Sequence, residues 1–186
     1  MTKSLAVEPE RVLSKGAIHF ADIPLNAYDK TLTEEASRYS THEFLDIWRD
    51  MCAIREFETV LNEVKLKGAY RGFAYNHAGP AHLSIGQEAA AVGMAFSLTP
   101  DDHIFGSHRS HGEILAKGFS AIRCLPEDRL VEIMRSYRDG AVLAPVEKRY
   151  DGPVAGLALR FFVYGAYAEM RAEKGGRWGR PAARAA

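Results

Sequence analysis

A mainly helical fold with a few short strands is what this sequence predicts. Two observations carry that expectation. Apolar residues recur every three or four positions over long stretches, and runs that alternate apolar with polar residues are scarce. The bulk properties bound it. With 186 residues, 47% of them hydrophobic and 26% charged, the chain can bury one real core and is not of disordered composition. Lys+Arg and Asp+Glu balance at 24 each, so no global charge draws the chain to nucleic acid or to a membrane surface. No apolar run approaches the roughly 20 residues that cross a bilayer, and the N-terminus lacks the apolar stretch of a signal peptide. Cys52 and Cys124 lie far apart without a CxxC spacing. They suggest neither a disulfide framework nor a zinc clip, and they fit a reducing, cytoplasmic setting.

Residues 1–39 carry little periodicity and include Pro9, Gly16 and Pro24, so they read as an extended arm laid on something larger. Ser40-Thr-His-Glu43 has the form of a capping box and opens the first helix. Phe44, Ile47, Trp48, Met51, Ile54, Phe57, Leu61 and Val64 then mark its apolar face, and Gly68 is placed to end it in a left-handed cap. Residues 69–86, rich in Gly, Tyr and His, read as a loop. A compact helix of small residues follows from Gln87 to Phe96, then a turn at Leu98–Asp102 and a short strand at His103–Phe105. Glu113–Lys117 reads as a short helix closed by Gly118. Pro126 suits a first helical turn, and that helix runs on through Leu130, Ile133, Met134 and Tyr137 to Gly140. A last, heavily apolar helix is expected from Val154 to Lys174. The basic tail 175–186 changes character abruptly and is expected to be unstructured. The domain of interest is thus 40–174.

Chemistry concentrates between Gly79 and Gly112. That stretch gathers four histidines, Arg109, Gln87 and Glu88 among glycines, a mixture for which a packed core has no use. An arginine fork binds phosphate or carboxylate oxygens in pairs, and histidines exchange protons near neutral pH. Each residue taken alone also has an ordinary reading. Ser107–His111 could be a solvated loop, His82 a hydrogen-bonded structural histidine, and Gln87 and Glu88 helix-start residues favoured by the dipole. The pairs His77/His82 and His108/His111 do not have a zinc spacing, and no cysteine or nearby acid completes a set, so no metal ligand is expected here.

The order of the pieces is more specific than any one of them. Ile54-Arg-Glu-Phe-Glu58, His82-Leu-Ser-Ile-Gly-Gln-Glu-Ala89, Leu98-Thr-Pro-Asp-Asp102, Ile104-Phe-Gly-Ser-His-Arg-Ser-His-Gly112 and Leu115-Ala-Lys-Gly118 together resemble the α-type half of thiamine diphosphate-dependent 2-oxo acid dehydrogenase E1 components. The likeness is to the N-terminal part of the long bacterial form in which α-like and β-like halves are fused. It implies part of a three-layer α/β cofactor-binding fold, with oxidative decarboxylation of a 2-oxo acid and acyl transfer to a lipoyl carrier. By this resemblance His82 and His111 are catalytic. Arg109, with His108, Gln87 and Glu88, binds thiamine diphosphate, which the family uses with Mg2+. The implied partners are an E1 β-like half or subunit and a lipoyl-bearing E2 component, in an oligomer.

The chain departs from that family in two places. Many α chains carry tyrosine where His108 stands. The family's Gly-Asp-Gly and its later asparagine, which hold the metal, are missing: Asn26, Asn62 and Asn76 all precede the pocket motifs, and Asp139-Gly and Asp151-Gly read as turns. The expectation is therefore a truncated chain, inactive alone, whose tail arose by frameshift or truncation and whose exposed helix faces favour association.

Overall fold

The computed structural model describes residues 10, 13–17, 22, 24–25, 27–74 and 82–170. The tail 175–186 and His77 lie outside them. The chain divides into two compact units, Met1–Arg38 and Tyr39–Ala186. In the first, helix α1 (Leu32–Glu35) is opened by a capping box between Thr31 and Glu34.

Helix α2 (Thr41–Lys67) starts and stops for local reasons. Glu43 receives the backbone N–H of Ser40 at 2.7 Å while Ser40 Oγ receives that of Glu43 at 3.3 Å. At the other end Gly68 adopts φ 63° and donates its N–H to Val64, a conformation that costs any residue with a Cβ. The buried stripe runs along Asp50, Ile54, Phe57, Glu58 and Leu61. Trp48, expected on the apolar face, sits about 120° round the helix from Ile54 and is 62% exposed. Two acids therefore occupy the stripe that packs inward.

The loop expected at 69–86 opens with a small antiparallel hairpin, β1 (Ala69–Tyr70) and β2 (Phe73–Ala74), turned by Arg71 and Gly72 at positive φ. Helix α3 (Glu88–Ala95) presents Ala91, Val92 and Ala95 to α2. Helix α4 (His111–Cys124) adds Leu115, Ala116 and Phe119, and these three helices enclose the main core. Gly118 lies inside α4 and does not end it. Its missing side chain leaves the space in which the Phe162 ring lies. Residues 103–105 are not a strand, and Phe105 is 97% exposed. With one β-branched residue and no partner strand among the described residues, nothing there rewards extension into a sheet.

Helix α5 (Glu127–Ser136) stops short of Gly140 because Arg138, Asp139 and Gly140 all take positive φ within a 3₁₀ turn over Tyr137–Gly140. A five-residue helix, α6 (Leu143–Glu147), follows. It is too short to show a period, and Pro145 within its first turn disguises it. Helix α7 (Val154–Met170) bridges two cores. Ala158 joins Leu130, Met134 and Leu143, whereas Phe162, Val163, Ala166 and Tyr167 pack on the main core. Tyr167 donates its hydroxyl to the Phe57 carbonyl at 2.7 Å, and burial pushes its phenol up. Among the described residues the fold is mainly helical, as the sequence predicts, and its short strands form the hairpin at 69–74 rather than lying at 103–105.

Candidate functional site

The site is assembled by two buried or half-buried carboxylates that reach from α2 and α3 to the loops between them. Glu58 is wholly buried on α2. One of its oxygens lies 3.0 Å from His111 Nδ1, at the start of α4, and the other accepts the backbone N–H of Ser84 at 2.9 Å. Ser84 passes the connection on by donating its hydroxyl to the Arg109 carbonyl at 2.5 Å. Gly112, buried at the start of α4, faces Ala91, Ile54 and Ser84. Three segments far apart in sequence are held at one point.

The second carboxylate is Glu88. Arg55 grips it with two parallel bonds, Nε to Oε1 at 2.6 Å and Nη2 to Oε2 at 2.8 Å. Gly86, in a turn at φ 94°, adds its N–H at 3.1 Å. Led by the Arg55 fork, these donors hold the Glu88 carboxyl at about 2, well below its ordinary 4.5, against the opposing effect of desolvation. A carboxylate whose folded pKa is depressed stabilises the fold above its unfolded value and loses that contribution as pH falls. Stability is therefore expected to drop between about pH 4.5 and 2, by no more than ~3 kcal/mol and by less to the extent that water screens half-exposed Arg55. Glu88→Gln should remove this part of the pH dependence, as read by urea denaturation at stepped pH.

Above this framework stands an exposed cationic group. The rings of His82 and His108 meet edge to face with centroids 4.7 Å apart, and Arg109 Nη1 lies 3.1 Å from His108 Nε2. A guanidinium only donates, so His108 accepts at Nε2. Arg109 is itself oriented by its backbone N–H, which donates to Ser107 Oγ at 3.1 Å. Desolvation, then the neighbouring His108 ring and the Arg109 guanidinium, hold His82 below the ordinary histidine range. It is neutral at neutral pH and can give or take a proton.

Of the residues expected from sequence, the structure brings His82, His108 and Arg109 together and sets His111 on Glu58 nearby. Gln87 is exposed at the N-cap of α3, and Glu88 is turned to Arg55. The residue that sequence reasoning passed over is Glu58. Its signal was available, since it lies four residues after Ile54 and three before Leu61, on the buried side of α2.

The donor set suits an anion. It consists of guanidinium and imidazole groups, while Glu58 and Glu88 are already committed to Ser84, His111, Arg55 and Gly86. A hard cation wants several oxygen ligands. Among the described residues no three His, Cys, Asp or Glu side chains converge to provide a metal site. Nor, among these residues, is any helix long and apolar enough to cross a membrane.

Comparison with known proteins agrees with the motif order. Residues 54–129 match the family model described as Dehydrogenase E1 component. The pyruvate dehydrogenase E1 component subunit alpha of Rhizobium meliloti is 36% identical over 85 residues, which is 46% of this chain and 22% of that protein. The testis-specific mitochondrial form of the same subunit from Homo sapiens is 30% identical over 120 residues, 62% of this chain and 29% of its own length. The alpha subunit of the acetoin:2,6-dichlorophenolindophenol oxidoreductase of Bacillus subtilis is 35% identical over 89 residues, 48% of this chain and 25% of that protein. The chain thus spans about a quarter of the length of these relatives. No solved structure matches it. Over residues 54–129 this chain is thus similar to dehydrogenase E1 components, and the relatives named here are alpha subunits.

Proposed function

We propose that the chain serves as the N-terminal, α-type portion of an E1 enzyme that decarboxylates a 2-oxo acid oxidatively and passes the acyl group to a lipoyl carrier. The observation that carries this reading is the convergence of His82, His108 and Arg109 on one exposed, cationic spot. That spot fits the diphosphate of thiamine diphosphate, and Arg109 is the group that would hold it, steadied by His108. When bound, the cofactor supplies an electron sink for the bond that breaks on decarboxylation. Neutral His82 is placed to give or take a proton beside it, and His111 is held in the same neighbourhood by Glu58. Gln87, exposed at the N-cap of α3, is assigned to cofactor binding in the same proposal.

Mg2+ does not fit the described residues, and no step is assigned to it here. A β-like half or subunit, a lipoyl-bearing E2 component and an oligomeric assembly belong to the same proposal. The relatives are by name alpha subunits, which supports this part of the reading. A second reading, a non-catalytic assembly module in the cytoplasm, draws on Leu45 and Trp48, 52% and 62% exposed on α2. It requires that no cofactor bind.

Phosphorus NMR separates the two. The diphosphate resonances of thiamine diphosphate should shift and broaden on adding the chain. Arg109→Ala should weaken the interaction at least tenfold, the loss of one charge-assisted contact being worth about 1.5–3 kcal/mol. Identical spectra with both folded proteins would favour the assembly module.

A further inference from the structure

We propose that Glu58 is a positioning residue that fixes the tautomer of His111, placing the proton on Nδ1 and leaving Nε2 bare in the neutral ring. The inference rests on the E1 reading only for what His111 is used for. The tautomer itself follows from hydrogen-bond bookkeeping around a side chain with no exposure to water.

The two oxygens of Glu58 face two different groups. A backbone amide can only donate, so the Ser84 N–H at 2.9 Å fixes Oε2 as an acceptor. The other oxygen stands 3.0 Å from His111 Nδ1. An ionised carboxylate only accepts, so Nδ1 must be the donor there. The buried position leaves little room for another arrangement. Ile54, Phe57 and Leu61 flank Glu58 on the inward stripe of α2, and the centroid of the Phe57 ring lies 6.4 Å from that of the His111 ring. The imidazole, 20% exposed, is therefore held at Nδ1, which leaves Nε2 as the basic atom of the neutral ring. Such a group takes a proton at a defined place or accepts a hydrogen bond there. The opposite tautomer can only donate from that atom.

Glu58→Gln tests this without changing the shape of the site. The amide has one accepting and one donating end. Ser84 N–H, being an obligate donor, claims the carbonyl oxygen, which leaves the amide NH2 facing His111 Nδ1. Nδ1 must then accept, and the proton moves to Nε2. The measurement is a long-range proton–nitrogen correlation on the full chain labelled with 15N-histidine, with the His111 signals assigned by a His111→Gln variant. Spectra are taken above the titration of the ring, so that it is neutral. The expected result is a pyrrole-type nitrogen at Nδ1 and a pyridine-type nitrogen at Nε2, with the two exchanging places in Glu58→Gln. An Nε2-protonated ring in the wild type would overturn the proposal, since it means that Glu58 is protonated or not facing the ring. An unchanged tautomer in a folded Glu58→Gln variant would overturn it equally, and if that variant does not fold the wild-type spectrum decides alone. No ligand is added, so failure here is distinct from failure of cofactor binding.

Discussion

Replacement of Glu58 by alanine is expected to destabilise the fold by about 3–5 kcal/mol, more than any other change of a single charged residue in this chain. The reason is what stays behind. Removing the acceptor leaves two donors without partners, at about 1–3 kcal/mol for each buried group left unsatisfied. Here the abandoned groups are the Ser84 N–H, in a residue 2% exposed, and His111 Nδ1. The cavity left in the α2 stripe adds to the cost. Glu56, two residues earlier, is the natural control. Its carboxylate is 62% exposed and its partners are Tyr70 and Arg71 on the hairpin, so Glu56→Ala should cost less than about 1 kcal/mol. Urea denaturation of both variants reads the difference. A loss below about 1 kcal/mol for Glu58→Ala would mean that Glu58 does not tie these segments together.

Phe119→Ala should cost a similar amount, about 3–5 kcal/mol, by a different route. Phe119 is 2% exposed and packs in the main core with Ile54, Ala91, Val92 and Leu115, its ring edge to face with Phe162 at 6.2 Å. The partners of this ring come from α2, α3, α4 and α7, so its removal leaves a void that rigid helices cannot all close. Phe105, 97% exposed, is the contrasting case, and Phe105→Ala should fall within about 0.5 kcal/mol of the parent. Equal effects at the two positions would contradict the assignment of the core.

These two residues also show how far the sequence is legible. Phe119 is not legible, because Gly118 suggests an end to the helix one residue before it, whereas the helix runs on to Cys124. The ends of α2 are plain, because a capping box and a left-handed glycine act within four residues of where they stand. Glu58 is hidden for the converse reason. Its partners lie 26 and 53 residues away, and a search for apolar periodicity passes over an acid even when the acid lies on the buried side. The Arg55–Glu88 fork spans 33 residues and escapes in the same way. Gly118 misleads because a glycine near a helix end fits a cap, while only the tertiary partner Phe162 reveals that it makes room for a ring. The grouping of His82 with His108 and Arg109 is readable from motif order, whereas their edge-to-face and hydrogen-bonded contacts come from the fold.

The account as a whole turns on whether this chain, with cationic donors and no fitting metal ligands among its described residues, holds the diphosphate by itself. Calorimetric titration of thiamine diphosphate into the full chain, with and without Mg2+ and alongside Arg109→Ala, tests that directly. The account predicts binding without the metal, no gain in affinity on adding Mg2+, and a loss of at least tenfold in the variant. Absence of binding in a folded sample, or binding that appears only with Mg2+, would contradict it.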